Sequence, residues 1–468
     1  MNTKKAISDY IDSCKNDMIN DLRTLARIPS VAGEPKENMP FGEGPAKALA
    51  AALELCKDIG MTVRNVDNYV GTADYFPDKE DHLGILCHMD VVPAGNGWSV
   101  PPFDITERDG RLIGRGAIDD KGPAVAVLYA IKTIKALGLP LEKNVRLILG
   151  TNEENGSTEL EYYTAKEALP PLLFTPDGSY PVINIEKGMI RTSLSADNIR
   201  VNNKGFEIVS IKAGKAVNAV PEQSIAVLKG IGGEEVTACA EKLGLPVTFI
   251  ITENGGNVEI EAEGKSAHAS LPETGENTLT ALFTLISALD RANSYPSVKA
   301  FAKLFPYGET DGLSCGISSC DNISGAATTV LSVAECDGNK LVCRQDIRFP
   351  VCESCAGITS KLKAALEPYG IALNIDLQCE PHHVSADSGF VKKLLEVYED
   401  VTGEKGYTVA LGGLTYVHDT ENGVAFGAEF PGDENNMHNA DEFIRTESLL
   451  LNAKIYANAI LRLCGKDE

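Results

Sequence analysis

The sequence predicts an α/β fold with a mostly parallel β-sheet flanked by helices, interrupted by an inserted α+β domain. Short apolar runs alternate with helix-like segments in about the first 180 residues and again after residue 384, as in sheets with helical crossovers. Between these regions, the pattern changes to strands of period two separated by turns, and to helices. We therefore expect a discontinuous first domain, residues 1–186 and 384–468, and an inserted domain, residues 187–383.

The elements of the first region follow from the spacing of apolar residues. Residues 46–56 repeat at helical spacing and stop before a glycine, which predicts a helix. The apolar runs HLGILCH (82–88) and NVRLILG (144–150) are short and end in polar residues or glycine, which indicates buried strands. Between them, residues 123–138 begin with Pro and end with Gly, as helices often do.

The inserted region and the carboxyl-terminal region are assigned in the same way. Period-two alternation predicts strands in FEIVSIKAG, VTFIITENGGNVEIEAEG and NKLVCRQDIRFP. Helical spacing predicts helices in TLTALFTLISALD and ITSKLKAALEPYG. After residue 384, we expect a helix in GFVKKLLEVYEDVTG, a strand in GVAFG and a last helix from about Glu447.

Composition excludes some classes of protein. The 468 residues include 43 basic and 66 acidic side chains, a net charge of −23, which argues against nucleic acid or an anionic membrane as the main partner. The amino-terminal residues lack the apolar stretch of a signal peptide, and we expect a cytoplasmic protein whose 12 cysteines are reduced. The CxxC pair Cys352 and Cys355 has no zinc-ribbon partner, and we interpret it as structural.

Polar residues recur where the predicted strands end, which is where open α/β sheets bind ligands. They are His88, Asp90, Glu153, Glu154, Asp177 and His438. A further acidic pair, Asp119 and Asp120, stands just before the helix that opens at Lys121. Taken singly, each has an ordinary explanation: an aspartate before a helix is commonly its N-cap, and the others fit a solvated loop. Taken together, two histidines and several carboxylates at one edge of a sheet form the donor set of a divalent metal.

Local geometry suggests different roles for neighbouring residues. Positions i and i+2 of a strand share a side, so Asp90 can reach the ring of His88 and fix the tautomer of a ligating imidazole. Adjacent Glu153 and Glu154 can point in different directions, one toward a metal and one toward a water that the metal activates. This arrangement suits metal-assisted hydrolysis.

Eight segments together carry a resemblance that covers nearly the whole chain. They are HMDVVPAGNGWSVPPFD, GRGAIDDKGP, TNEENG, FTPDG, GKSAHASLPETGENT, DIRFP, GGLTY and MHNADE. In this order they resemble the co-catalytic metallopeptidase family of aminoacylases, carboxypeptidase G, desuccinylases and carnosinases. Within that family the chain is most similar to the bacterial peptidase V-type dipeptidases.

The resemblance implies a role for each residue at the sheet edge. His88 and Asp177 would hold one metal ion, Glu154 and His438 the other, and Asp119 would bridge them. Glu153 would be the general base for the bridging metal-bound water, and Asp90 would assist catalysis through His88. The resemblance also implies a cis peptide bond between Asp119 and Asp120.

Further roles are implied for the inserted domain, which would act as a lid. His268 of GKSAHAS would stabilise the oxyanion, although a histidine between alanines is more often structural. Arg348 of DIRFP would bind a substrate carboxylate, with a surface salt bridge as the ordinary alternative. Asn218, and Gly412 and Gly413 of GGLTY, would make further substrate contacts, the glycines by close backbone approach.

These expectations define a cytoplasmic, two-metal dipeptidase that hydrolyses dipeptides or very short peptides. Zn²⁺ is the expected metal, with Mn²⁺ or Co²⁺ also compatible with the ligands. The long insertion resembles that of the peptidase V type, which implies that His268 is supplied within one chain and favours a monomer. The alternative is an N-acyl amino acid deacylase or desuccinylase with the same chemistry. A non-catalytic binding protein is disfavoured because Glu153 and every other expected site residue are present.

Overall fold

The computed structural model describes residues 3–202, 204–291 and 293–466. Its α-helices are α1 (Thr3–Ser13), α2 (Lys15–Ala26), α3 (Glu43–Asp58), α4 (Lys121–Ala136), α5 (Thr158–Thr164), α6 (Gly233–Leu243), α7 (Thr278–Leu289), α8 (Pro296–Leu304), α9 (Cys355–Leu366), α10 (Gly389–Thr402) and α11 (Thr446–Cys464). Short 3₁₀ turns occupy Glu153–Asn155, Pro272–Thr274 and Glu367–Tyr369.

The strands up to the middle of the second unit are β1 (Thr62–Val66), β2 (Val70–Asp74), β3 (Asp81–His88), β4 (Thr106–Arg108), β5 (Arg111–Ile113), β6 (Asn144–Gly150), β7 (Leu172–Thr175), β8 (Val182–Glu186), β9 (Gly188–Asp197), β10 (Glu207–Ala213) and β11 (Gln223–Lys229). The later strands are β12 (Thr248–Asn254), β13 (Asn257–Glu263), β14 (Cys320–Asp321), β15 (Gly325–Ala326), β16 (Thr328–Cys336), β17 (Lys340–Phe349), β18 (Ala372–Cys379), β19 (His382–His383), β20 (Thr408–Leu411), β21 (Gly423–Ala425) and β22 (Phe443–Arg445).

The chain divides into two compact units. The first comprises the chain up to Asn184, then Val384–Val409 and the chain from Leu414 onward. The second comprises Ile185–His383 together with the short segment Ala410–Gly413. Each unit has its own hydrophobic core.

The first unit is built on a mixed sheet in the order β1-β2-β6-β3-β7-β21-β8. Strands β6, β3, β7 and β21 pair in parallel, whereas β1, β2 and β8 join the sheet antiparallel. The α/β class is confirmed, and parallel pairing is confined to the centre. The edge formed by β1 and β2 is antiparallel because only residues 67–69 connect these two strands, and so short a connection joins only antiparallel strands.

Helix α4 is the central helix of the first core. Nearly all of its side chains are buried, and it packs against β3, α2 and α11. Its small residues Ala124, Ala126 and Ala130 allow this close approach. The helix predicted at 123–138 is therefore confirmed, with its start moved to Lys121. Among the residues that the structure describes, none of the helices combines the length and apolar character needed to cross a bilayer.

The second unit is built on an antiparallel sheet in the order β12-β13-β11-β10-β16-β17-β9-β18. Buried residues alternate with more exposed ones along β13, as the period-two pattern predicted, and also along β9, for which no strand was predicted. The buried face packs against helices that include α7 and α9, both predicted from their spacing. A single-sided antiparallel sheet with helices on one face is an α+β arrangement.

Candidate metal centre

The polar residues of the first unit meet at the carboxyl ends of three neighbouring parallel strands. His88 is the last residue of β3, Asp177 lies two residues after β7, and Glu153 begins the 3₁₀ turn that follows β6. Because β6, β3 and β7 are adjacent and parallel, their carboxyl ends reach the same sheet edge. The convergence predicted from the sequence is thus present in the first unit.

Asp119 lies between the two histidines. Its Oδ1 is 2.8 Å from Nε2 of His88, and its Oδ2 is 2.7 Å from Nε2 of His438. Nε2 of His438 is also 3.3 Å from Oε2 of Glu154. One carboxylate therefore faces two imidazoles with separate oxygens, which is the geometry of a bridging ligand.

Two groups of donor atoms are close enough to hold a cation. His88, Glu153 and Asp177 form one group, and His88, Asp119 and Glu154 the other, with all atoms of each group within 4.8 Å of one another. Each of the two groups contains one of the glutamates, Glu153 or Glu154. Distance alone therefore does not show which glutamate binds metal and which acts as the general base. His438 joins through its contacts with Asp119 and Glu154.

Asp90 connects the two glutamates to His88. Its two carboxylate oxygens each accept one backbone N–H, from Glu153 and Glu154, at 3.2 Å. Nδ1 of His88 lies 3.1 Å from the backbone oxygen of Asp90 and 3.4 Å from its Oδ1. The acceptor nearest Nδ1 is therefore the carbonyl, which fixes the same tautomer that we expected the carboxylate to fix.

Electrostatics reflect the crowding of charge at this edge. Burial lowers the pKa of His88, but hydrogen bonds to Asp119 and Asp90 outweigh it and raise that pKa well above its usual value. The bond to Asp119, then that to Glu154, raises the pKa of His438 to about 10. For Asp119, burial raises the pKa, and the two histidines more than reverse this and lower it.

The remaining carboxylates have too few positively charged groups near them to balance their own negative charge. Burial, and then repulsion from Asp177, raises the pKa of Glu153 well above its usual value. Burial, and then repulsion from Asp119, raises the pKa of Asp177 to about 7. Oε1 of Glu154 is buried without a hydrogen-bond partner in the described chain. This set of hard oxygen and imidazole donors fits divalent cations, whose charge would balance it.

Asp120 belongs to the scaffold of the site. The peptide bond between Asp119 and Asp120 is cis, as the resemblance implied. Oδ2 of Asp120 accepts the backbone N–H of His88 at 3.1 Å. Because the Asp120 side chain is fully buried and turned toward the end of β3, it supports the strand end rather than the donor cluster.

In the second unit, His268 is held in one tautomer. Its Nδ1 accepts the backbone N–H of Ser270 at 3.2 Å and lies 2.7 Å from Oγ of the same residue. Burial, and then the charge of Arg348, lowers the pKa of His268. The neutral ring therefore carries its proton on Nε2, where it can donate to an oxygen.

Arg348 is buried, with only 3% of its surface exposed. Its Nε and Nη2 donate to the two oxygens of Asp346 at 2.6 and 3.0 Å, and Nη1 donates to the carbonyl of Gly412 at 2.8 Å. Of the five N–H groups of a guanidinium, these bonds leave one on each terminal nitrogen. The Nε and Nη2 donors, which could bind a carboxylate in bidentate fashion, are therefore occupied by Asp346.

Asp346 and Arg191 were not among the residues predicted to form the site. Asp346 is fully buried, and Nε of Arg191 donates to it at 3.0 Å. Two arginines thus share one carboxylate, which leaves an excess positive charge beside Arg348. The signal for Asp346 was present in DIRFP, because positions i and i+2 of a strand share a face.

The other predicted contacts of the second unit lie near His268. The carbonyl of Asn218 accepts the backbone N–H of Ala269 at 2.9 Å. A Cβ at Gly412 would stand 2.5 Å from Cβ of Ser270, so close packing requires glycine there. At Gly413, a Cβ would meet only Leu411 at 3.6 Å, an ordinary contact.

Comparison with known proteins identifies the class to which this fold and site belong. Residues 84–462 match the family described as Peptidase family M20/M25/M40, so the chain belongs to this family of metallopeptidases, which are hydrolases. A Bacillus subtilis protein named "Putative dipeptidase YtjP" is 37% identical over 465 residues, covering 96% of this chain and 97% of the relative.

Other relatives extend over the same length. "Putative dipeptidase SAB1611c" of Staphylococcus aureus is 30% identical over 481 residues, covering 99% of this chain and 100% of the relative. Human carnosine dipeptidase 1 has a similar fold, with a TM-score of 0.61, 15% identity and 100% of both chains covered. The dipeptidase Dug1p of Saccharomyces cerevisiae gives a TM-score of 0.60 at 14% identity, with 99% of both chains covered.

Proposed function

We propose that this chain is a dipeptidase that uses two divalent metal ions. The observation that carries the proposal is the placement of Asp119 between His88 and His438, with three further carboxylates around them. Relatives that span nearly the whole chain carry the name "Putative dipeptidase", which supports peptides of two residues as substrates. Zn²⁺ is the metal that we favour, and Mn²⁺ or Co²⁺ would suit the same oxygen-rich donors.

We assign His88 and Asp177 to one metal ion, Glu154 and His438 to the other, and Asp119 to both. The interatomic distances support this division, because Oδ2 of Asp119 and Oε2 of Glu154 both approach Nε2 of His438. When bound, the two cations would polarise the scissile carbonyl and lower the pKa of the attacking water.

Glu153 is the proposed general base. Its carboxylate lies near His88 and Asp177, and its backbone is fixed by Asp90, so it can stay beside the reacting water. It would take the proton of this water during attack and return it to the leaving amine. Asp90 would act through position alone, by holding both glutamates and the ring of His88.

The second unit would supply groups for the substrate. Nε2–H of His268 would donate to the oxygen that becomes negative in the transition state. The excess positive charge at Arg348, Arg191 and Asp346 suits a free α-carboxylate. We assign Asn218 and the backbone of Gly412 and Gly413 to the same task of holding the substrate.

We also propose that the protein works as a monomer in the cytoplasm. The structure joins none of the 12 cysteines, all of which it describes, in a disulfide, which is compatible with a reducing compartment. A monomer is favoured by the proposal that the long second unit supplies His268 to the site of its own chain, because no neighbouring chain is then needed.

The test is an assay of the purified full-length protein with Zn²⁺, Mn²⁺ or Co²⁺ on a panel of dipeptides, one tripeptide and several N-acyl amino acids. We expect chelation to abolish hydrolysis and metal to restore it. We expect dipeptides to have the highest kcat/KM. A preference for N-acyl amino acids would replace the dipeptidase with a deacylase, and full activity in a chelator would overturn the metal mechanism.

A further inference from the structure

A buried ion pair lies behind the candidate metal centre. Strands β5 and β22 pair antiparallel, with Ile113 opposite Phe443. Arg115 follows β5 by two residues, and Glu442 directly precedes β22, so both stand at the end of this pairing. They are 1% and 0% exposed, and Nη1 of Arg115 donates to Oε2 of Glu442 at 2.5 Å.

The second oxygen of Glu442 holds the backbone that carries Asp119. Its Oε1 accepts the backbone N–H of Ile118 at 3.1 Å and that of Asp119 at 3.4 Å. An ionised carboxylate is the only side-chain group of this size that can accept from an arginine with one oxygen and from backbone N–H groups with the other. Glu442 thereby couples the position of Asp119 to that of Arg115.

The second terminal nitrogen of Arg115 holds the loop that carries His438. Nη2 is 3.3 Å from the carbonyl oxygen of His438 and 3.2 Å from that of Pro93, in the loop after β3. The backbone φ of His438 is 61°, and Asn436 and Asp441 in the same loop are also left-handed. Histidine, asparagine and aspartate adopt this conformation more readily than other residues with a side chain, and Arg115 binds the carbonyl oxygen of His438 in this loop.

We propose that Arg115 and Glu442 are positioning residues for the metal ion assigned to Asp119, Glu154 and His438. The pair fixes the distance between Asp119 and His438, two proposed ligands that lie far apart in the sequence. The inference rests on the proposed function, because it assumes that these residues bind metal. It differs from an ordinary structural ion pair in one respect: its loss should weaken the metal ion assigned to His438 more than the other, because Asp119 is assigned to both ions and His438 to only one.

The test begins with full-length protein loaded with Co²⁺, from which metal is withdrawn by graded chelator. Wild type should hold two Co²⁺ per chain. Glu442→Gln presents one oxygen and one amide, so it cannot serve both Arg115 and the backbone N–H groups. We expect the ion assigned to Glu154 and His438 to bind about 10- to 100-fold more weakly, with a changed Co²⁺ absorption spectrum, and the other ion, which shares only Asp119, to lose less affinity.

Arg115→Lys provides the second variant, since it keeps the positive charge but loses the forked donors. We expect a smaller loss of affinity for the same ion. Arg146→Met is the matched control, because it removes the partly buried pair with Asp74 near the other end of β6. This control should lower the unfolding temperature and leave both Co²⁺ affinities unchanged.

The outcomes separate this inference from the proposed function. Fewer than two Co²⁺ in the wild type would refute the two-metal proposal itself. Two ions in the wild type, with both affinities unchanged or equally reduced in Glu442→Gln, would overturn the positioning role. If Glu442→Gln does not fold, the same comparison is made with Arg115→Lys, for which selective weakening of one ion is again the supporting result.

Discussion

Glu153 and Glu154 are neighbours in the chain, yet each backbone N–H binds a different oxygen of Asp90. This fork fixes the turn after β6 and directs the two side chains into separate donor groups. Adjacent residues can therefore have different tasks, and substitution of each should give a different defect.

Glu153→Gln should retain both metal ions and lower kcat by about 10²- to 10⁴-fold, because an amide cannot take the proton of the attacking water. Elemental analysis and steady-state kinetics measure the two quantities. Glu154→Gln is the matched comparison and should lose metal, since Glu154 is the proposed ligand. Normal turnover in metal-replete Glu153→Gln would show that the base has been misassigned.

Arg348→Lys tests how the substrate carboxylate is held. The ammonium can still neutralise Asp346, but the free N–H groups of the guanidinium are lost. We expect KM to rise about tenfold or more for a dipeptide with a free carboxylate, because charge-assisted hydrogen bonds contribute about 1.5 to 3 kcal/mol. The corresponding dipeptide amide should change little.

Thermal unfolding of Arg348→Lys checks that the variant is folded. An equal rise of KM for the free and the amidated dipeptide would remove Arg348 from carboxylate binding. The conclusion would then be that its bonds to Asp346 and Gly412 serve only the packing of the second unit.

At the residue scale, the sequence predicted which chemical groups converge but not how they are held. His88, Glu153 and Asp177 could be placed because strand ends are readable from apolar runs. The bond between Asp346 and Arg191 could not, because it depends on the pairing of β17 with β9, which no local pattern specifies. The preference of Nδ1 of His88 for a backbone oxygen is equally a matter of tertiary geometry.

Among the elements, α7 shows how one side chain can define the start of a helix and its place on a sheet. Asn277 accepts the backbone N–H groups of Leu279 and Thr280 at 3.0 Å each. Its Nδ2 donates to the carbonyl oxygen of Leu331 in β16, also at 3.0 Å. The N-cap thus ties α7 to the antiparallel sheet of the second unit.

Asn277→Ala should lower the free energy of unfolding by about 1 to 2 kcal/mol, because both cap bonds are lost and the carbonyl of Leu331 loses its donor. Ser354→Ala at α9 is the matched control, since within the described part of the chain Ser354 accepts a single backbone N–H, that of Gly357. It should cost less than Asn277→Ala. Urea denaturation measures both values, and the reverse order would show that the link to β16 contributes nothing.

Element types were more predictable than element pairing. Helices α4, α7 and α11 and strands β3 and β6 follow from apolar spacing and their end residues. The antiparallel edges of the first sheet, and the pairing of β5 with β22, join segments that carry no local sign of each other. Such contacts are set by burial of the whole core, so a single sequence does not reveal them.

At the scale of the whole molecule, the net negative charge opposes the binding of a substrate that carries a carboxylate. A net charge of −23 disfavours approach of an anionic ligand, and a dipeptide carries a free carboxylate. The cluster of Arg348, Arg191 and Asp346 is a local exception with excess positive charge. Similarly, carboxylates crowd the first unit, where divalent cations would balance them. Net charge therefore describes the average surface and did not predict where either charged cluster lies.

One chain contains both Glu153 and His268, and the two residues can act together if His268 serves the site of its own chain. Glu153 belongs to the first unit and His268 to the second, so a variant of either alone should be inactive. If His268 serves the site of its own chain, mixing Glu153→Gln with His268→Ala protein should restore no activity at any concentration, because no chain has both groups. If His268 served a neighbouring chain, the mixture would contain intact sites, and activity would rise with protein concentration. Gel filtration of each variant provides the control for assembly. Restored activity would refute the monomer, while leaving the assignment of both residues to catalysis intact.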